Sequence, residues 1–193
     1  MKLPALALAF FFFANGASFG RFDLGSPSSF TPYDPYLAPV KQVLGTLPET
    51  PAPMKRVQAL MREGRSFRYV FSDPYVATMP AVTAARKCGD CKAKSLWLCN
   101  QLRDGNVRYV IGKVRRKAKL SHAWLIWQNQ GRWWILDCTN KARPIPAESV
   151  SRDEYIPLYS YDKSSAYRHS STPPMTAAIA TKRGAVAAKT HSR

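Results

Sequence analysis

The sequence predicts an α+β domain, with one helix carrying a cysteine in its first turn and packed on an antiparallel sheet. Three observations predict it. The stretch "CKAKSLWLCNQLRDG" places Leu96, Cys99 and Leu102 or Arg103 at three- and four-residue steps, the spacing of one helix face. Three β-rich runs then follow with short links: "VRYVIGKVR" (107–115), "SHAWLIW" (121–127) and "RWWILDCT" (132–139), the order of an antiparallel meander. The length of 193 residues, 46% of them hydrophobic, allows one core plus extensions.

Taken from the start, Lys2 precedes an apolar run from Leu3 to Ala14, and Ala14-Asn15-Gly16 supplies small residues for cleavage. This predicts a signal peptide over residues 1–17 and a secreted or periplasmic protein. The run is shorter than the ~20 residues a bilayer span needs, so no membrane span is expected after cleavage. Residues 18–53 contain seven prolines and predict an extended arm or linker. A domain over 54–168 begins with "MKRVQALMREG", a short helix stopped by Gly64, and "SFRYVFSDPY" predicts a strand and a turn. The main helix runs from Cys91 to about Arg103, with Asp90 as N-cap and Gly105 as its stop. Residues 169–193 are small, basic and without aromatic side chains, which predicts a disordered tail.

The formal net charge is +17, from 29 basic and 12 acidic residues. Much of the excess lies between Arg86 and Arg143, where only Asp90, Asp104 and Asp137 oppose the lysines and arginines. Such a field favours anionic partners, either an acidic polypeptide or an anionic wall or surface polymer, with nucleic acid less favoured. The bland alternative is a solvated, solubilising surface.

The four cysteines (Cys88, Cys91, Cys99, Cys138) include one in a chemically favoured place. In the first turn of a helix, Cys91 meets unpaired amide N–H groups and the positive end of the helix dipole, which favour a thiolate. Lys92 and Lys94 should push the same way. A thiol nucleophile also needs a base and a group to orient it. Of the three histidines, His169 and His191 fall at or in the predicted tail, which leaves His122 in "SHAWLIW". If "QNQG" (128–131) is a four-residue hairpin loop, Trp127 pairs with Arg132 and His122 lies directly opposite Asp137, both on one face. Cys91, His122 and Asp137 would then be nucleophile, base and orienting acid for acyl transfer.

Other readings weigh less. A Cys88–Cys91 redox pair lacks the βαβ units that usually carry one. A zinc site from Cys88, Cys91, Cys138 and His122 conflicts with strand alternation, which turns Cys138 away from His122. Cys99 and the five tryptophans are most simply core and hairpin packing. No cofactor or metal is called for.

The segments "GDCKAKSLWLCNQL", "VRYVIGKVR" and "SHAWLIWQNQGRWWILDCT" resemble the core of the transglutaminase-like superfamily, nearest to the exported bacterial transglutaminase-like cysteine peptidases. "EYIPLYSYD" (154–162) is similar to that family's closing aromatic stretch, and the likeness spans about residues 54–168. The resemblance implies a papain-like fold and amide hydrolysis through a thioester, with Cys91 as nucleophile, His122 as general base and acid, and Asp137 as orienter. Transfer of the acyl group to an amine stays open. Where members of the family carry acidic residues after the cysteine, in some of them a calcium site, this chain has Lys92 and Ala93. That argues against calcium and for an electropositive entrance. Tyr69, Tyr75 and Gln58 are the candidates for completing an oxyanion hole. The alternative function is a non-catalytic domain of the same fold that binds an anionic polymer or protein through its basic face.

Overall fold

A computed structural model describes residues 23–73, 75–151 and 153–173. The predicted signal peptide, and the tail from residue 174, lie outside the described residues. Strand β1 (Ser26–Ser28) leads through a 3-10 turn (Asp34–Tyr36) to helices α1 (Ala38–Gly45) and α2 (Met54–Ser66). Then come β2 (Arg68–Tyr69), α3 (Pro80–Arg86), β3 (Cys88–Gly89) and α4 (Cys91–Leu102). Strands β4 (Val107–Arg115), β5 (His122–Asn129) and β6 (Arg132–Leu136) form the meander, followed by β7 (Ile145–Pro146), β8 (Glu154–Tyr161) and β9 (Ala166–Arg168). Seven strands make one antiparallel sheet in the order β1-β9-β8-β4-β5-β6-β7, while β2 and β3 pair in parallel apart from it.

Strand alternation divides the core in two. Ala123, Leu125 and Trp127 of β5 face the helices and pack with Leu96, Trp97 and Cys99 of α4. Trp124 and Ile126 face the other way, against Val110, Ile135 and Tyr155. Helix α4 is buried on every side from Cys91 to Cys99, between the sheet and helices α1, α2 and α3. Each fully buried Leu or Trp there contributes on the order of 1.5–3 kcal/mol of transfer free energy. That burial fixes the tip of α4 rigidly against the rim of the sheet. A hydrogen bond from Ser95 Oγ to the Ala123 carbonyl, 2.9 Å, ties helix to strand.

The Pro-rich stretch is not an arm over its described part. Leu37, Val40, Val43, Leu44 and Leu47 are all buried in the main core, at a helical spacing that the prolines obscure in the sequence. Pro39 falls in the first turn of α1, where a missing N–H costs nothing. The following loop is pinned by the buried carboxylate of Asp104, which accepts from the Ala52 amide (2.8 Å) and the Trp127 indole (2.7 Å). Gly105 donates its amide to the Pro48 carbonyl at 2.7 Å, so it anchors this loop; the left-handed residue ending α4 is Arg103 instead, with φ 52°. Gly64 likewise does not stop α2, which runs on to Ser66. A β-carbon on Gly64 would lie 2.8 Å from the Trp97 ring and 2.9 Å from the Cys138 sulfur, so its smallness permits the α2–α4 approach.

His169, assigned to the tail, is buried. Its Nδ1 donates to the Asp23 carbonyl (3.0 Å) and its Nε2 accepts from Ser160 Oγ (2.9 Å), so residues 169–173 belong to the folded body.

The β5–β6 hairpin differs in register from the sequence expectation. Its ladder pairs Asn129 with Arg132 and Leu125 with Leu136, leaving a two-residue turn, Gln130-Gly131. Both turn residues have positive φ, 51° and 74°, as the tight turn matching strand twist requires. The register is therefore displaced by two residues. Because side chains alternate with period two, His122 and Asp137 keep a common face, as diagonal rather than direct neighbours.

Candidate active site

Asp90 caps α4, its Oδ1 accepting the Ala93 amide at 3.0 Å, and sets Cys91 in the first turn. The Cys91 side chain sits at the floor of a cleft, mostly covered. Asp90 is wholly buried, and its Oδ2 accepts from Ser72 Oγ (2.9 Å) and from the Lys92 ammonium (2.5 Å). Burial pushes the Asp90 pKa up, but the hydrogen bonds from Lys92, Ala93 and Ser72 outweigh it and hold the acid below its ordinary value.

The two lysines expected to favour the thiolate are engaged elsewhere. Lys92 also donates to the Ser72 carbonyl (3.1 Å) and lies near the rings of Phe71 and Tyr75. Lys94 is buried and donates to the Phe67 carbonyl at 3.0 Å, and burial pushes its pKa down. The entrance beside Cys91 thus has no free ammonium from this helix turn, contrary to the electropositive entrance expected. Nor do these residues fit calcium. Both oxygens of Asp90 are taken by hydrogen donors, one of them a cation, and among the described residues no three His, Cys, Asp or Glu side chains gather as a metal site.

His122 opens β5 at the rim of the sheet, where it meets the tip of α4. Its Nε2 donates to Asp137 Oδ2 at 3.0 Å, and the ring also hydrogen-bonds the Cys91 side chain. Burial pushes the ring's pKa down, but hydrogen bonds to Asp137 and Cys91, with their negative charges, outweigh it and raise it to about 9. The ring also stacks on Trp124, 6.1 Å between centroids. Asp137, just past the end of β6, is fully buried. Oδ2 also accepts from Tyr155 OH (3.0 Å) and Asn140 Nδ2 (2.8 Å), and Oδ1 from the Thr139 amide (3.1 Å). Burial alone would raise the Asp137 pKa; the hydrogen bond and charge of His122, with Asn140 and Tyr155, bring it down instead. The three residues singled out by sequence therefore meet at one place.

Of the three oxyanion-hole candidates, Tyr69 comes to the sulfur. Burial raises its pKa, as do the charges of Cys91 and Asp90 and a hydrogen bond to Cys91. Tyr75 lines the same cleft but lies against Lys92 and Tyr33, and Gln58, on α2, does not line it. No sequence pattern marks Tyr155 and Asn140 as partners of Asp137. Tyr155 lay inside the aromatic stretch that carried the family likeness, but no local pattern links it to a carboxylate eighteen positions earlier. Cys138 packs on the opposite face, against the Lys94 carbonyl and Gly64.

No family model matches the sequence, and no curated protein matches it. Solved structures do. LapG of Legionella pneumophila superposes with a TM-score of 0.51 at 14% identity, over 66% of this chain and 74% of LapG. The calcium-bound form of LapG gives 0.50 at 13% identity, over 74% and 86%. The chain has the LapG fold. The α+β architecture expected from the sequence, a helix with Cys91 in its first turn packed on an antiparallel sheet, is therefore the one observed. At such identity the likeness to LapG is one of fold, and the chemistry has to be argued from this chain's own side chains. Calcium is a property of the LapG structure, and no group of three or more His, Cys, Asp or Glu side chains that could hold it gathers among the described residues of this chain.

Proposed function

We propose that this chain is an exported transglutaminase-like cysteine hydrolase, a peptidase acting through Cys91, His122 and Asp137. The observation that carries the reading is the His122 ring held between a buried, fully hydrogen-bonded Asp137 and the Cys91 thiol at a helix tip. With its pKa raised to about 9, His122 already holds the thiol's proton near neutral pH as the Cys91 sulfur attacks the substrate carbonyl, and the carbonyl electrons move to oxygen. The Cys91 amide and the Tyr69 hydroxyl, which meet at the tip of α4, are the donors for that oxyanion. As it collapses, His122 gives its proton to the leaving nitrogen, the C–N bond breaks and a thioester remains. His122 then deprotonates a water that attacks the thioester, releasing the acid and the Cys91 thiol. Asp137 keeps one imidazole tautomer and stabilises the imidazolium.

The substrate is a polypeptide, and acidic flanks suit it. The exposed basic run Arg115, Arg116, Lys117 and Lys119 leads directly through Leu120 and Ser121 into His122. Iodoacetamide near pH 6.5 tests the nucleophile. Modification of Cys91 ahead of Cys88, Cys99 and Cys138, abolished in Cys91→Ser and slowed in His122→Ala, supports it; unchanged labelling in either variant overturns it. The same basic run favours a second reading, a non-catalytic domain holding an anionic polymer, which would show salt-sensitive binding that survives His122→Ala. Export is tested by sequencing the N-terminus of the mature protein, expected near residue 18.

A further inference from the structure

We infer that the cleft beside Cys91 and His122 is a subsite for an apolar side chain of the substrate, next to the scissile amide, with one wall built by the Pro-rich segment. The inference rests on Cys91 being the nucleophile. The cleft holds about 110 Å³ of free space and abuts both Cys91 and His122, so a side chain entering it belongs to a residue adjoining the bond attacked. Its walls include Leu37 and Val40 of the segment read as an arm, Ile111 of β4, and Tyr36, Phe71 and Leu120 at the mouth. The mouth is open to solvent: Phe71 is 67% and Leu120 77% exposed. Apolar surface left uncovered around a nucleophile is a binding surface, since scattered single residues would not converge on one opening.

Charge inside the cleft points the same way. Among the described residues the one ammonium that lines it, on Lys92, is already bound to Asp90 and the Ser72 carbonyl beneath the Phe71 and Tyr75 rings. A substrate carboxylate placed there would lose water and gain no free cation, a large penalty. The net charge of +17 can draw in acidic flanking residues, but this subsite selects against an acidic side chain in the cleft itself.

The test uses three tripeptide chloromethyl ketones that differ only in the residue beside the reactive group: Leu, Asn or Asp. Cys91 alkylation by each is followed by intact mass, and each rate is divided by the iodoacetamide rate of the same protein. Leu should exceed Asn by about 10- to 100-fold, the range for filling an apolar pocket, and Asp should be no faster than Asn. In Tyr36→Ser and Leu120→Ser, both at the exposed mouth, the Leu-to-Asn ratio should fall severalfold. A ratio near one with normal iodoacetamide labelling overturns the subsite alone. A ratio near one with Cys91 inert to iodoacetamide overturns the subsite and the catalytic reading together. An Asp probe faster than Leu, or variants that keep the wild-type ratio, also overturns the subsite.

Discussion

The hydroxyl of Tyr155 donates to Oδ2 of Asp137 at 3.0 Å, from a residue held at a φ of 46° in strand β8. A tyrosine rarely adopts that backbone region, and the strain persists because the surrounding packing and this hydrogen bond fix it. Tyr155→Phe keeps the ring against Trp124 and removes only the donor to a buried carboxylate. The variant should lose about 1.5–3 kcal/mol of stability, read from urea unfolding. A loss below about 0.5 kcal/mol would mean that Asp137 does not depend on this contact.

The His122–Asp137 pair should give stability a defined pH window. The folded pKa of His122 is raised to about 9. Its contribution is therefore fully present below the unfolded value of ~6.5 and is lost as pH rises through 9. Asp137 is lowered, so its contribution is present above the unfolded value of ~3.9 and is lost as pH falls through the lower folded value. Between pH 6 and pH 10 the wild type should lose about 3 kcal/mol that His122→Ala does not lose. Equal losses in the two proteins would refute the pairing.

Asp137→Asn keeps shape and burial but removes the charge that fixes the imidazole tautomer. Peptide hydrolysis should fall by about 10³- to 10⁴-fold, with the fold retained by circular dichroism. If the rate falls less than about tenfold, Asp137 is not the orienting acid.

Much of this site is legible in the sequence because its determinants are local. Asp90 before an apolar three- and four-residue pattern announces a capped helix, and α4 begins at Cys91 as that pattern requires. The meander is legible from its alternation. The hairpin register is not, because "QNQG" permits either a four- or a two-residue loop, and Gln130 accepts a positive φ that side chains with a β-carbon seldom take. Parity alone rescued the His122–Asp137 match. The Pro-rich stretch is not legible as helix because seven prolines mask Leu37, Val40, Leu44 and Leu47, whose burial is decided by tertiary packing on α4 and the sheet. Tyr69 and Tyr155 reach the site from distant positions, and no local spacing marks them.

Asp90 should matter more than an ordinary helix cap. Losing an N-cap costs about 1 kcal/mol. Asp90→Ala would also leave the Lys92 ammonium, whose side chain is only 10% exposed, without its carboxylate. Removing one partner of a buried pair costs about 3–5 kcal/mol. Urea unfolding of Asp90→Ala should show the larger loss, and the double variant Asp90→Ala, Lys92→Met should recover part of it. A single-variant loss near 1 kcal/mol would mean that the pair is solvated enough to be dispensable.

Calcium should be without effect on this protein, although LapG has been solved with calcium bound. A cation bound only by the folded state at a hundred times its Kd adds about 2.7 kcal/mol and raises Tm by several degrees. Here the ammonium of Lys92 already lies against Asp90, and Asp137 is saturated by His122, Tyr155, Asn140 and the Thr139 amide. A calcium ion would have to displace a tethered cation or break the hydrogen bonds that hold His122. Thermal unfolding in millimolar calcium and in excess EGTA should therefore coincide, and the rate of Cys91 alkylation should be the same in both. A calcium-dependent rise in Tm that EGTA reverses would show that the Asp90–Lys92 pair opens to admit the ion.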